Sequence, residues 1–179
     1  MKMQLAQVNV ARLRAPELAD FIAGLDPVSA LAEAAPGFVW RLQDEGGNAT
    51  NIPYDPDPLL IVNLSVWEDV EAVRAFASSG VHLDFLKRWR EWFTRMAQPD
   101  TAMWGVAAGK RPTAAQAKSR LAQLEAQGPT AHAFTFAAPF GPDGLPRTSG
   151  PITSRAEPNG TSSIPAAAAP GGPAVPDPA

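Results

Sequence analysis

The alternation of apolar and polar residues predicts a central β-strand at residues 59–67, LLIVNLSVW. Its even positions are all aliphatic, whereas its odd positions turn polar at Asn63 and Ser65 and end at Trp67. Successive side chains of a strand point to opposite faces of a sheet, so one face of this strand is apolar and the other is partly polar. We expect helices to cover the apolar face and the polar face to line a site that offers hydrogen bonds beside an aromatic wall.

A similar division marks the first predicted strand, residues 3–12. Its even positions from Ala6 to Val10 are apolar, and its odd positions include the amides Gln7 and Asn9. A period of two is typical of a strand with one buried face. We therefore expect both amides to lie on the same face of the sheet as the polar residues of the central strand.

Two more strands complete the predicted sheet. Residues 37–43, GFVWRLQ, alternate with Phe38 and Trp40 on one side and Arg41 on the other, and residues 101–108, TAMWGVAA, supply a fourth strand. The segment between the second strand and the central strand is rich in Asp, Asn, Gly and Pro. It therefore predicts a long loop, which would act as a flap beside the sheet.

Apolar residues recur at helical spacing in the segments between strands. Residues 17–35 predict a first helix, and Pro27 is expected to bend or split it because proline lacks a backbone donor. Residues 70–79 and 82–93 predict a pair of helices that is interrupted at Gly80.

The last third of the chain departs from this pattern. Residues 114–127 predict an appended helix capped by Thr113, which should dock outside the sandwich or on a partner subunit. Residues 132–136 would add a short edge strand. We expect a folded domain over residues 1–140 and a disordered tail over residues 141–179, because the tail is rich in Pro, Gly and Ala and poor in residues that can be buried.

The predicted order is strand, helix, strand, strand, helix, strand, which is the split βαβ order of a ferredoxin-like sandwich. The fold class is therefore α+β, with a four-stranded antiparallel sheet that has helices on one face. The other face must meet solvent, a ligand or another sheet. Two such sheets facing one another across a two-fold axis would enclose a cavity, so we expect a dimeric α/β barrel, formed by a homodimer, that binds a small-molecule ligand.

The composition of the chain argues against several classes of function. The chain has 179 residues, a net charge of -3 and no basic cluster, which argues against nucleic acid and membrane partners. It contains no cysteine, so disulfides, thiolate metal centres and cysteine nucleophiles are excluded. Neither a signal peptide nor a membrane-spanning run is visible, which predicts a cytoplasmic protein. No dinucleotide, phosphate-loop or flavin motif appears, and we expect neither a cofactor nor a metal.

Several separated motifs carry a family resemblance. They are NLSVWEDVEAVRAF (63–76), followed by a histidine and the run from Arg90 to Phe93, together with GFVWRL (37–42) and AGKRPT (108–113). Over residues 3–137 the chain resembles a bacterial family of dimeric α/β-barrel proteins that is distantly similar to the antibiotic-biosynthesis monooxygenase superfamily. That superfamily includes cofactor-independent oxygenases, haem-degrading enzymes, isomerases and domains with no shown chemistry.

The resemblance implies roles for two residues. Trp67 matches the aromatic residue that ends the third strand in monooxygenase-like members, and His82 matches the histidine that begins the second half of their following helix. His82 would then be a general base or proton shuttle, because imidazole titrates near neutral pH. The alternative is a helix-start histidine that bonds to a loop. Haem-degrading relatives use a histidine about one turn later, where this chain has Leu86, which argues against haem ligation.

The remaining candidates would bind a substrate without reacting. Gln7, Asn9, Asn63 and Ser65 would orient it through hydrogen bonds, with Trp67 as the aromatic wall, or would satisfy one another in a cross-strand ladder. The guanidinium of the second strand, Arg41, would anchor a carboxylate or enolate, or would pair with acids of the flap.

These candidates leave two main classes of function open. In the first, an aromatic or polyketide-like metabolite binds between the sheet and the helix carrying His82, loses a proton to His82, and is oxidised by oxygen or isomerised without a cofactor. In the second, the same barrel is a non-catalytic module that binds a metabolite or mediates dimerisation. A haem-binding protein that uses His82 as its ligand is a third hypothesis.

Overall fold

The structure is a computed structural model that describes residues 2–15, 19–47, 49, 52–80, 87–141 and 143–148. Within those residues the strands are β1 (Met3–Leu13), β2 (Phe38–Arg41), β3 (Leu60–Trp67), β4 (Phe93–Thr94) and β5 (Thr101–Ala107). The helices are α1 (Ala19–Ala34), α2 (Val70–Ala77), α3 (Trp89–Trp92) and α4 (Ala114–Gln127).

The sheet is built around β1. This strand pairs antiparallel with β3 on one side, and on the other side with β5 along its first part and with β4 at Arg12 and Leu13. β2 pairs antiparallel with β3 and forms an edge of the sheet. With α1 between β1 and β2, and with α2 after β3, this is the ferredoxin-like α+β fold that the sequence predicts.

The appended helix α4 covers the aliphatic face of the sheet. We call this the even face; its buried members are Ala6, Val8, Val10, Val62, Leu64, Val66, Ala102 and Trp104. Ala117, Leu121 and Leu124 of α4 pack on it, because their spacing puts all three on one side of a helix. The helix therefore docks on a face of the sheet within the same chain, and its contact with a partner subunit stays untested.

The opposite face, which we call the odd face, packs against α2 and the end of α1. Leu5, Trp67 and Met103 form its apolar end together with Val70 and Val73 of α2. The prediction that the helices of the sandwich would cover the aliphatic face is wrong, since they cover the face that also carries the polar residues. These helices cover the apolar end of that face, and the homodimer stays a prediction without a described contact.

A β-bulge at Val39 divides the aromatic residues of β2 between the two faces. Phe38 pairs with Trp67, whereas Trp40 pairs with the adjacent Val66, so β2 contains one extra residue. Phe38 therefore packs on the odd face and Trp40 on the even face. The prediction that the two aromatic residues share one side is wrong, because the period of two breaks at the bulge.

The turn into β2 is fixed by close contact with α2. Gly37 has a φ of 80°, and a Cβ at this position would lie 2.6 Å from the Cβ of Ala72. The carbonyl of Gly37 accepts a hydrogen bond of 2.7 Å from the backbone N–H of Glu68. Only glycine combines this φ with this approach, so the turn and α2 hold one another in place above the odd face.

Three local predictions change in detail. Helix α1 continues through Pro27, so the predicted split is not seen. Residues 93–94 form β4 instead of ending the second helix of the pair, and residues 81–86 of that helix lie outside the described residues. The predicted edge strand at 132–136 forms only isolated bridges in the described residues: Phe134 exchanges two backbone hydrogen bonds with Met103, and Ala133 pairs with Thr130.

The docking of α4 on the even face makes its leucines part of the core. We predict that Leu121→Ala lowers the free energy of unfolding by about 2–4 kcal/mol, through lost burial and a cavity. The exposed residue Glu125 on the same helix provides the matched control, Glu125→Ala. Urea denaturation of both variants measures the difference, and equal midpoints would show that α4 does not pack on the sheet.

Candidate functional site

Polar residues of the odd face lie between two apolar clusters. Gln7 faces Ser65 and Asn9 faces Asn63 across β1 and β3, and Thr101 of β5 faces Asn9 from the other side. One neighbouring cluster is the apolar end under α2, and the other lies at the far end of β1. We call these five residues the polar floor.

A chain of hydrogen bonds joins three side chains at the inner end of the polar floor. Trp67 Nε1 donates to Ser65 Oγ at 2.9 Å, and Ser65 Oγ donates to Gln7 Oε1 at 3.0 Å. An indole N–H can only donate, so the serine oxygen accepts there and its own proton is available for Gln7. Trp67 is 2% exposed and Ser65 is 6% exposed, so the chain satisfies polar atoms that would otherwise be buried without partners.

At the outer part of the polar floor, the hydrogen bonds run from β1 to β5 instead of from β1 to β3. Asn9 Nδ2 donates to Thr101 Oγ1 at 2.9 Å, and Thr101 Oγ1 donates to Asp100 Oδ1, also at 2.9 Å. Asn63 is exposed, and its side chain makes no hydrogen bond with the described residues. The cross-strand ladder that the sequence allows is therefore complete at Ser65 and Gln7 but incomplete at Asn63.

The floor presents hydrogen-bonding groups that the protein does not satisfy. In the described part of the chain, Gln7 Nε2 has no acceptor and Asn9 Oδ1 has no donor. Together with the amide of Asn63, these atoms offer both donors and acceptors to a molecule that contacts the floor. A ligand with carbonyl and hydroxyl groups matches this arrangement.

Trp67 acts on the floor through Ser65. The rings of Phe38 and Phe76 lie 5.3 Å from the indole ring, centroid to centroid, at interplanar angles of 88° and 31°. Contact from both sides fixes the indole, and its N–H stays directed at Ser65. Because the side chain is almost completely buried, Trp67 positions Ser65 and Gln7 and offers little surface to a ligand.

Arg41 joins the sheet to α1. It lies opposite Ser65 on β2, and its Nε donates to Glu33 Oε1 at 2.7 Å. Its partner is thus an acid of α1 and not one of the flap acids.

A cleft of about 460 Å³ lies at this edge of the sheet. It is lined by Trp40, Arg41, Gln43, Asp44, Glu45 and Arg111. The guanidinium of Arg111 lies 5.9 Å from the ring centroid of Trp40.

The structure does not test the predicted general base. His82 and Leu86 lie outside the described residues, so the role of His82 stays a prediction. In the described ranges, no group of three or more His, Asp or Glu side chains is placed to hold a metal ion. The helices within those ranges also lack the length and apolar character that crossing a bilayer requires.

Sequence reasoning missed Thr101, Asp100 and Glu33. Thr101 is an odd position at the start of the fourth predicted strand, which was a usable signal, but its contact with Asn9 depends on strand order and register. Glu33 sits on an exposed stretch of α1 and carries no sequence signal for its bond to Arg41.

A family model for a domain of unknown function, DUF3291, matches residues 4–149. The chain belongs to the DUF3291 family. No curated protein matches this DUF3291 chain.

Solved structures similar to the DUF3291 chain share little sequence with it. NE2512 from Nitrosomonas europaea, a protein of unknown function, has 14% identity and a TM-score of 0.45, and the match covers 63% of this chain and 97% of that chain. Rv0793 from Mycobacterium tuberculosis has 16% identity and a TM-score of 0.44, with coverage of 62% and 99%. SnoaB from Streptomyces nogalater, a cofactor-independent oxygenase, has 19% identity and a TM-score of 0.40, with coverage of 60% and 95%.

Two ion pairs attach the flap, which is the loop between β2 and β3, to the rest of the DUF3291 chain. Lys118 Nζ lies 2.6 Å from Asp55 Oδ2, and Arg12 Nε lies 2.8 Å from Asp57 Oδ2. The hydrogen bond from Lys118 is the main cause that lowers the pKa of Asp55. The backbone N–H of Leu59, followed by the Arg12 side chain, lowers the pKa of Asp57. The flap is thereby attached to both α4 and β1.

We predict that acid weakens this attachment. The folded-state pKa values of Asp55 and Asp57 lie below the ordinary 3.8, so their contribution to stability is present above that pH and is lost as the pH falls through the lower folded-state values. Asp57→Asn should lower the melting temperature at about pH 7 and flatten its decline in acid, because the amide keeps an acceptor but loses the charge. Glu125→Gln is the control for loss of one negative charge. Melting curves that run parallel in acid for the wild type and Asp57→Asn would contradict the prediction.

The buried chain from Trp67 to Gln7 predicts energetic coupling. Ser65→Ala leaves the indole N–H without its acceptor and should cost about 1–3 kcal/mol. In a Trp67→Phe background that N–H is gone, so the same serine substitution should cost about 1 kcal/mol less. Urea denaturation of the wild type, both single variants and the double variant gives the coupling energy. A value near zero would mean that the hydrogen bond contributes nothing to the stability of the fold.

Proposed function

We propose that this chain is a cofactor-independent enzyme that binds an aromatic or polyketide-like small molecule on the polar floor and oxidises or isomerises it. The observation that carries the proposal is the set of unsatisfied amide groups at Gln7, Asn9 and Asn63, within a sheet face whose two ends are apolar. Water can bond to these groups in the free protein, and a ligand with matching donors and acceptors would replace that water.

The floor suits a flat ligand with oxygen substituents at a fixed spacing. Gln7 and Asn9 are two residues apart on one strand, so their side chains leave the backbone about 6.7 Å apart. That distance is close to the separation of substituents at opposite ends of a fused two-ring skeleton. A ligand carbonyl would accept from Gln7 Nε2, and a ligand hydroxyl would donate to Asn9 Oδ1.

Neutral amides also assist the proposed chemistry. When a C–H next to a carbonyl loses its proton, negative charge develops on the carbonyl oxygen, and a fixed N–H donor stabilises it. The Trp67 to Ser65 to Gln7 chain fixes such a donor, because it holds the carbonyl side of the Gln7 amide and leaves its NH2 group free. The proton would pass to His82, whose position is a prediction.

Either outcome of that proton transfer is balanced without a cofactor. In an isomerisation, His82 returns the proton to a different carbon of the substrate. In an oxidation, dioxygen takes the electron pair of the carbanion, one oxygen atom stays on the carbon as a carbonyl, and the other leaves as water with the two hydrogens of the original CH2 group. The substrate is then the only reductant and dioxygen the only oxidant.

Oxygen uptake with 1,8-dihydroxyanthrone tests the proposal, since this probe has a CH2 group, a carbonyl and hydroxyls on a fused ring system. We expect uptake above the enzyme-free rate, a loss of about 100-fold in His82→Ala with binding retained, and binding about tenfold weaker in Gln7→Leu. The matched control is Gln127→Leu, an exposed glutamine of α4. Uptake that is unchanged in Gln7→Leu and His82→Ala would contradict the proposal.

Binding without chemistry is a second candidate function. It is favoured by the composition of the polar floor, whose residues are amides and hydroxyls that do not titrate near neutral pH. Calorimetric titration with the same probe separates the two functions. Binding that requires Gln7, combined with no oxygen uptake by the wild type, would support a metabolite-binding module.

A further inference from the structure

The guanidinium of Arg74 contains an unusual pair of atoms. Its Nε and Nη2 are buried without any hydrogen-bond partner, and no other side-chain nitrogen or oxygen atom of the described residues shares that condition. Arg74 lies in the last turn of α2, and its guanidinium carbon is 5.8 Å from the ring centroid of Phe136. An aromatic ring attracts the charge but accepts no hydrogen bond of ordinary strength.

The two unpartnered atoms lie on one edge of the guanidinium. Nε–H and the adjacent N–H of Nη2 point in parallel, which is the fork that binds both oxygens of a carboxylate. Burying this fork without an acceptor is costly, because the N–H groups lose their water. The acids close to Arg74 in sequence do not accept hydrogen bonds from the fork. Asp69 caps α2, Glu68 Oε1 lies 3.9 Å from Lys2 Nζ, and Glu71 is exposed.

Aromatic side chains surround this part of α2. Phe76, Phe136 and Phe140 pack against the same apolar cluster on the odd face. The ring centroids of Phe134 and Phe140 are 5.5 Å apart. A molecule that reaches the fork therefore meets ring faces as well as two N–H donors, which favours an aromatic group attached to its carboxylate.

Beyond Phe134, the segment that carries Phe136 is held on the sheet by side-chain packing and not by described backbone hydrogen bonds. Phe134 bonds to Met103, but the described backbone hydrogen bonds of residues 135–147 join residues of that segment to one another, as in Gly141 to Leu145 and Arg147 to Pro139. Displacement of the Phe136 side chain from Arg74 would expose the fork while the backbone hydrogen bonds of the sheet stay intact. Entry of a ligand is thus compatible with the fold.

We propose that the Nε and Nη2 fork of Arg74 is a binding site for an aromatic carboxylate, seated between α2 and the segment that carries Phe136. The site lies on α2 and this segment alone. It does not depend on the polar floor or on any catalytic activity.

Benzoate and its neutral analogue benzamide test the site on the full chain. At constant ionic strength, benzoate should raise the melting temperature of the wild type progressively with its concentration, and benzamide should not. Calorimetric titration should show binding about tenfold weaker in Arg74→Lys, which keeps the charge but loses the fork, and about 30-fold weaker or more in Arg74→Met.

Arg120→Met is the matched control. Arg120 also lies over an aromatic ring, 6.0 Å from the centroid of Trp104, but it donates a hydrogen bond to Gln123. Benzoate binding should be unchanged in this variant. Benzoate that fails to stabilise the wild type, or that stabilises Arg74→Met equally, would overturn the proposal.

Nitrogen NMR gives a readout that does not require a stable methionine variant. The Nε–H resonance of Arg74, assigned by its disappearance in Arg74→Lys, should shift progressively as benzoate is added to the wild-type protein. A resonance that does not move at benzoate concentrations that saturate the calorimetric signal would place the ligand elsewhere and overturn the assignment.

Discussion

The antiparallel register between β1 and β3 is the constraint on which the candidate site depends. It places Gln7 opposite Ser65 and Leu5 opposite Trp67. A slip of one residue would move every side chain to the other face, and the polar floor would then lie beneath α4. The aliphatic even face opposes that slip. A slip would turn its aliphatic side chains away from α4 and bury polar side chains in their place, which would cost the free energy of their apolar burial. The site on one face is therefore held in register by the core on the other.

Polar side chains can lie on a helix-covered face of a sheet when they form hydrogen bonds with one another. Ser65 and Trp67 do so completely, and their bonds fix the orientation of the Gln7 amide. The same face leaves Asn9 Oδ1 and the amide of Asn63 without partners among the described residues, and Asn63 is exposed, so these groups are available to water or to a ligand. Arg74 differs from them, because two nitrogen atoms of its guanidinium are buried without a hydrogen-bond partner.

Period-two patterning and strand propensity predicted β1, β2, β3 and β5, and their order predicted the ferredoxin-like fold. Turn-forming residues predicted the long flap, whereas β4 was not predicted. The patterning was not sufficient to assign the faces, because the sheet carries helices on both sides and either face could have served the sandwich helices. The alanine-rich and glutamine-rich sequence of α4 suggested a surface helix, although Ala117, Leu121 and Leu124 already had core spacing. The bulge at Val39 was not predictable either, since one inserted residue changes the face of Trp40 without changing its local sequence.

Nuclear Overhauser contacts between methyl groups test most directly which helix covers which face. With β1 and β3 in the described register, the methyls of Leu121 and Leu124 should show contacts to valines of the even face, such as Val8. The methyls of Val73 on α2 should instead show contacts to Met103 on the odd face. Contacts from Val73 to Val8, with none from the α4 leucines to the sheet, would contradict the account and remove the polar floor from its place beside α2.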